Sequence, residues 1–143
     1  MIVDSSVWLA HLRGTNSPAA RRLASALTRK EPIGLPDIVL MEVLRGARNV
    51  SALLQLERAL LTFPRFVPAD PRQLARNAAH LYARCRWAGF TPRSGNDCLI
   101  ACCAIEADEP LLHEDRDFRS IAEVEPALVL VSEKPGVAQE SPR

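Results

Sequence analysis

Five carboxylates stand where they could do chemistry in this 143-residue chain. Asp4 closes the apolar run MIV, and Glu42 lies inside DIVLMEVLRG, where six of ten residues are apolar. Asp97 follows SGN at the head of an apolar stretch, and Asp115 and Asp117 bracket Arg116 in HEDRDF. An ionised carboxylate withdrawn from water must pair, bind a metal or take up a proton. Each acid taken singly has an ordinary explanation. Glu42 can pair with Arg45 at a helix edge. Asp97 can favour a helix macrodipole, worth about 0.3–1 kcal/mol. Asp4, Asp115 and Asp117 can cap helices or shape turns. Four or five carboxylates converging on one place repel one another unless a cation joins them. An oxygen-only cluster of that kind suits Mg2+ or Mn2+, as one or two ions. The joint pattern outweighs the separate explanations.

The elements that must position these acids alternate between strand and helix. Residues 1–4 read as a short buried strand, followed by a helix over 5–12 with Ser5 or Ser6 as its cap. Ser17-Pro18 opens an amphipathic helix over 17–30. Pro32 to Leu35 reads as a strand, and the helix carrying Glu42 runs from Asp37 to near Gly46. Helices follow over 50–63 and 71–88 at a period of 3.6 residues, with the short strand RFVPA between them. A small-residue helix over 96–108 leads into a strand over 110–113. EDRDF begins a turn or short helix, and 127–131 reads as a last strand. This alternation predicts an α/β sandwich with a mostly parallel sheet. Sites in such sheets form beyond the carboxyl ends of the strands, at a topological switch point. Asp4 and Asp115 are both expected at that edge, and Glu42 leaves it on a helix.

Composition excludes several classes. Apolar content is 48%, charged content 24% and net charge +1, which describes one ordinary globular domain, expected over 1–133, with a frayed tail over 134–143. No run reaches the length of a membrane span, and MIVDSSVW lacks the basic start of a signal peptide, so a cytoplasmic protein with no membrane association is expected. Cys98, Cys102 and Cys103 fall within a helical pattern and Cys85 stands alone, a spacing that fits core thiols better than a metal knuckle or disulfides. His11 and His80 lie away from the acids. His113, at a strand end, is expected near them in a structural role. No serine or cysteine is paired with a base for covalent catalysis.

MIVDSSVW, LPDIVLMEVLRGAR and SGNDCLIACCAIEADEPLLHEDRDF, in this order, closely resemble PIN-domain ribonucleases, specifically the VapC toxins of bacterial toxin–antitoxin pairs. The resemblance runs from Met1 to about Val131. It implies a PIN-like α/β/α sandwich in which Asp4, Glu42, Asp97 and Asp115 form the acidic quartet. It also implies accessory positions at Asp117, Ser6 and Asn96. Asp4, Asp97 and Asp115 are expected to form the main metal set. Glu42 would hold a second ion or orient the attacking water, and Ser6 and Asn96 would orient the ligands. The activity implied is Mg2+-dependent (or Mn2+-dependent) hydrolysis of RNA, often a tRNA or ribosomal RNA loop, leaving 5′-phosphate and 3′-hydroxyl ends. Arg45, Arg48, Arg93 and Arg116 flank the acids and are candidates for phosphate contact, or for pairing with the acids themselves. The implied partner is a cognate VapB antitoxin, with a homodimer, heterotetramer or larger assembly. Trp8, Leu9, Leu12, Leu53, Leu54 and Leu56 are candidates for its groove, for a homodimer face, or for core.

Three other readings compete. A phosphoacceptor receiver domain also clusters acids in an α/β fold, but it needs a lysine near a late strand, and the lysines here are Lys30 and Lys134. A structure-specific DNA nuclease would share the metal site but needs larger insertions than this chain has. A PIN fold used only for binding would not require the complete quartet.

Overall fold

The structure, a computed structural model, describes residues 1–131. Two short parallel ladders form its centre. β1 (Ile2–Val3) pairs with β4 (Leu111–Leu112), and β2 (Leu35–Pro36) pairs with β3 (Arg65–Phe66). A parallel bridge between Ile2 and Gly34 joins the ladders, and a second between Leu111 and Leu130 extends the far edge. The resulting order is β3-β2-β1-β4, all parallel, with Leu130 outside β4. At Gly34 a Cβ would lie 3.1 Å from Ile2 Cδ1, so the bridge forms closest where the side chain is smallest.

Helices fill every crossover. α1 (Ser5–Leu12) and α2 (Pro18–Thr28) connect β1 to β2, while α3 (Asp37–Leu44) and α4 (Val50–Leu60) connect β2 to β3. α5 (Pro71–Trp87) and α6 (Gly95–Ala107) carry the chain back across to β4, and α7 (Asp117–Val124) follows it. The chain therefore builds outward from β1 on one side and then returns to lay β4 on the other. That reversal puts the switch point between β1 and β4, with Asp4 and Asp115 just beyond their carboxyl ends.

The core gathers Ile2, Val3 and Leu111 from the sheet. Val7, Leu23, Val39, Val43, Leu81, Ile100, Phe118 and Ile121 join them from the helices, all essentially sealed from solvent. Trp8 belongs to this core, its ring meeting Phe63 edge-on at 5.1 Å. The four cysteines are free and buried, as expected. Among the described residues no helix is long and apolar enough to cross a membrane.

The structure corrects the sequence reading in detail. Of the caps offered for α1, the structure takes Asp4 and not Ser5 or Ser6. Its backbone is extended (φ −66°, ψ 151°) and its carboxylate accepts the Ser6 N–H. The expected strand over 127–131 is reduced to the Leu130 bridge, flanked by bonds from Leu111 N to Val129 O and from Val131 N to Leu111 O. RFVPA contributes two strand residues, and EDRDF opens an eight-residue helix. The expected tail over 134–143 lies outside the described residues.

Candidate active site

Each acid arrives on a different element. Asp4 is buried at 3% exposure, because the strand it ends is the central one and α1 starts at once. Its Oδ2 accepts from Ser6 N at 3.2 Å and from the Ser6 hydroxyl. The Ser5 hydroxyl lies between two acids, 3.0 Å from Glu42 Oε1 and 3.5 Å from Asp4 Oδ1. A hydroxyl has one proton to donate, and the shorter distance assigns it to Glu42. Ser5 thereby ties α1 to α3 and fixes the two carboxylates relative to each other.

Glu42 is thus drawn inward on the α3 face that meets α1. It also keeps its surface partner: Arg45 Nη2 lies 3.5 Å from Glu42 Oε2, with the arginine largely exposed. A pair that long and that wet contributes little. Both explanations of an acid in this apolar helix hold at once, one for each oxygen.

Asp97 stands in the first turn of α6. Ser94 caps that helix by accepting from Asn96 N at 3.1 Å. The pKa of Asp97 is pushed from 3.8 up to about 7, first by burial and then by the negative charges of Asp4, Asp115, Asp117 and Glu42. Burial also raises the pKa of Asp4, against the opposing hydrogen bonds from Ser6. The other four acids are therefore all near enough for their charge to act on Asp97.

Asp115 and Asp117 are shaped by the turn after β4. Asp115 Oδ1 accepts from Asp117 N at 3.0 Å, and Asp117 Oδ2 accepts from Arg93 N at 3.0 Å. The second bond pins the loop before α6 to the start of α7. Buried His113 lies with Nδ1 3.0 Å from the Asp115 carbonyl, and its ring packs on Phe118. That is the structural role expected of it. Asp97, Asp115 and Asp117 each offer a carboxylate oxygen within 4.8 Å of the others.

This arrangement differs in emphasis from the sequence expectation. Asp117 joins Asp97 and Asp115 in the close group, while Asp4 is occupied by the Ser6 hydroxyl and N–H. Ser5, which the sequence offered only as a candidate helix cap, stands between Asp4 and Glu42. Only its place next to an acid in DSS hinted at this. Of the candidate phosphate contacts, Arg45 touches Glu42, and Arg93 reaches the site through its backbone. Arg48, Arg93 and Arg116 have exposed side chains with no ion pair among the described residues.

The chemistry of such a set is binding a hard cation. The donors are all carboxylate oxygens, and a carboxyl raised to about 7 by burial and then by its acidic neighbours is relieved by a positive ion. The PIN-domain family profile matches residues 1–124. Two curated relatives, VapC ribonuclease Mb1587 of Mycobacterium bovis and ribonuclease VapC11 of Mycobacterium tuberculosis, are each 37% identical over 127 residues, covering 87% of this chain and 92% of the relative.

The chain belongs to the PIN-domain family, among the VapC ribonucleases. A solved structure, VapBC2 from Rickettsia felis bound to a DNA fragment from its promoter, superimposes with a TM-score of 0.67 at 18% identity. The match covers 91% of this chain and 96% of that one, and at this identity it speaks for the PIN fold alone. The family assignment agrees with the β1–β4 switch point and with an acidic pocket beyond it.

Proposed function

We propose that the protein is the toxin of a type II toxin–antitoxin pair, an endoribonuclease that hydrolyses RNA phosphodiester bonds with Mg2+ or Mn2+. The observation that carries this reading is the pocket of five carboxylates with Asp97 raised to about 7. Asp97, Asp115 and Asp117 would hold the ion, with Asp4 and Glu42 completing the negative wall for a second. Such an ion supplies an activated water and neutralises charge on the phosphate. The chain's own part is to keep those acids in register. Ser6 holds Asp4, Ser5 holds Glu42, His113 and the Arg93 amide fix the turn bearing Asp115 and Asp117, and Asn96 stands in the first turn of α6 beside Asp97. Arg45, Arg48, Arg93 and Arg116 would meet the phosphates at the rim.

The domain extends over 1–133 in this reading, and the protein works in the cytoplasm beside a VapB antitoxin. Leu12 on α1, Met41 on α3 and Leu54 on α4 are exposed apolar side chains on helices that pack in succession. They offer a docking face for the antitoxin or for a second copy of the toxin. The test is cleavage of bulk tRNA by purified, antitoxin-free protein with Mg2+, with Mn2+ and with chelator. Cuts that require the metal and vanish in Asp97→Asn are expected. Undiminished cutting in chelator, or by Asp97→Asn, would overturn the metal-dependent reading.

A further inference from the structure

The outer face of α5 carries charge of one sign only. Over its 17 residues this helix carries Arg72, Arg76, Arg84 and Arg86 and no acid, in a chain whose net charge is only +1. All four arginines are exposed, and so is His80 on the same helix. Arg84 is committed to Glu125 at 2.7 Å. Arg72, Arg76 and Arg86 form no ion pair among the described residues, Arg76 donating only to Gln73. The macrodipole accounts for Arg84 and Arg86, which lie in the last turn, where cations are favoured. It does not account for Arg72, which stands in the first turn, where a cation is disfavoured.

The helix ends at Trp87, which is 82% exposed. The other tryptophan, Trp8, is 3% exposed. Nothing in packing requires an indole at position 87. Beside it lies a groove of about 690 Å³, with Leu81, Cys102 and Ile105 in its lining and Asn77 and His80 among its polar groups. Glu106 and Glu125 also line it, so phosphates are directed to the outer face of α5 and away from the groove itself. Trp87 stands six positions before Arg93, whose amide is bonded to Asp117 in the acidic cluster. That places Trp87 within about 20 Å of Arg93, and α5 extends about 25 Å further along its axis.

We propose that the outer face of α5 and Trp87 form a docking surface for structured RNA. The exposed arginines would follow its phosphate backbone, and Trp87 would stack on an unpaired base next to the groove. Unpaired cations in line suit a polyanion, and an exposed indole suits a base face. The proposal rests on the ribonuclease reading above and extends it from the cutting site to the body of the substrate.

The probe is fluorescently labelled bulk tRNA, titrated into the full-length Asp97→Asn protein so that binding is read without cutting. Adding Trp87→Ala is expected to weaken binding about tenfold. Adding Arg72→Gln with Arg76→Gln is expected to reduce the salt dependence of the affinity by about two counterions. Acrylamide quenching, which in the free protein reaches Trp87 and spares Trp8, is expected to fall as tRNA is added. In Asp97-intact protein the same variants should raise KM for tRNA and leave kcat in place. Unchanged affinity and salt slope in the variants, while the Asp97-intact protein still cuts tRNA, would overturn the docking surface and leave the ribonuclease reading standing. A protein that neither binds nor cuts tRNA overturns both. Loss of self-association in Trp87→Ala with tRNA affinity intact would make this a protein interface and overturn the proposal.

Discussion

Two kinds of side chain on the helix Gly95–Ala107 face the same physical force and answer it differently. Its first turn holds Asp97, and Cys98, Cys102 and Cys103 follow on its buried side. Burial raises all four pKa values, to about 12 for Cys98 and Cys103, about 11 for Cys102 and about 7 for Asp97. A thiol that begins near 9 is already neutral at physiological pH, so burial only makes it more inert. A carboxylate that begins near 3.8 is brought to the middle of its titration with four other acids pressing on it. The thiols are therefore settled without help, and the carboxylate is in electrostatic debt that a cation can relieve. The same buried environment yields inert core in one case and a binding site in the other, because the groups begin from different intrinsic pKa values.

Removing the charge at Asp97 should break the contrast most sharply. Losing a partner that merely orients a metal ligand lowers activity or affinity by about 10- to 100-fold. Asp97→Asn removes a proposed ligand outright and should reduce single-turnover tRNA cleavage by more than about 100-fold. Asp115→Asn should behave alike. Residual cutting within a few-fold of the parent would mean that the chemistry lies elsewhere.

Supplying the cation is the converse experiment. Ligand binding to the native state alone stabilises by about 2.7 kcal/mol at a concentration 100 times Kd. For a domain of this size that raises Tm by roughly 10 °C. Mn2+ should shift the melting of the chelator-treated protein on that scale and leave Asp97→Asn almost unmoved. An equal shift in both proteins would place the ion outside the acidic pocket.

Next in size is Ser5. Its hydroxyl holds Glu42 at 3.0 Å and stands 3.5 Å from Asp4, so Ser5→Ala frees one acid of the wall without removing any carboxylate. Cleavage should fall by about tenfold, while Ser5→Thr, if its hydroxyl takes the same place, restores most of it. Ser5 also marks the limit of what could be read from the sequence. The placing of Asp4 and Asp115 beyond the carboxyl ends of two strands was legible from the strand–helix alternation, whereas grouping them with Glu42 and Asp97 as a quartet rested on the family resemblance. The alternation of strand and helix likewise exposed the α/β layers and the switch point. The role of Ser5 depends on how α1 packs against α3, a contact between residues 37 positions apart that no local pattern encodes. Asp117 raised a related difficulty. Its spacing fits both a helix start and a ligand, and only the fold shows it starting α7 while sitting within 4.8 Å of Asp97 and Asp115. The last strand was overread for a physical reason: ALVLV has the apolar content of a strand, but it meets only the edge of β4 and makes a single bridge there.

The pH dependence of the metal-free protein sharpens the comparison further. The unfolded chain releases the Asp97 proton near 3.8, whereas the native state holds it to about 7. Between those values the native state binds more protons, so stability contributed by this group falls as pH rises. Asp4, also raised, acts in the same direction. Glu31, Asp37 and Glu125 are lowered by their arginine partners, and their contributions are complete above about pH 5. Urea unfolding in chelator from pH 5 to pH 8 should therefore show a decline that is shallower in Asp97→Asn. Partial exposure of Asp97 keeps the effect modest. A parent protein no steeper than the variant would mean that Asp97 is not raised.

The smallest effects belong to the thiols. With pKa values of about 11 to 12, Cys98, Cys102 and Cys103 carry a thiolate fraction of only about one in ten thousand or less at neutral pH. Burial also denies reagents access to all four cysteines. Ellman's reagent should leave the native protein essentially unlabelled and titrate four thiols only as it unfolds. Cys103→Ala should cost about 1 kcal/mol of stability through the small cavity it opens and leave cleavage per folded molecule unchanged. A single fast-reacting thiol in the native state would break the comparison from its inert side. It would mean that this face of the helix opens to solvent often enough to matter. The contrast between thiols and carboxylate would then reflect motion of the helix rather than the intrinsic pKa values of the groups it carries.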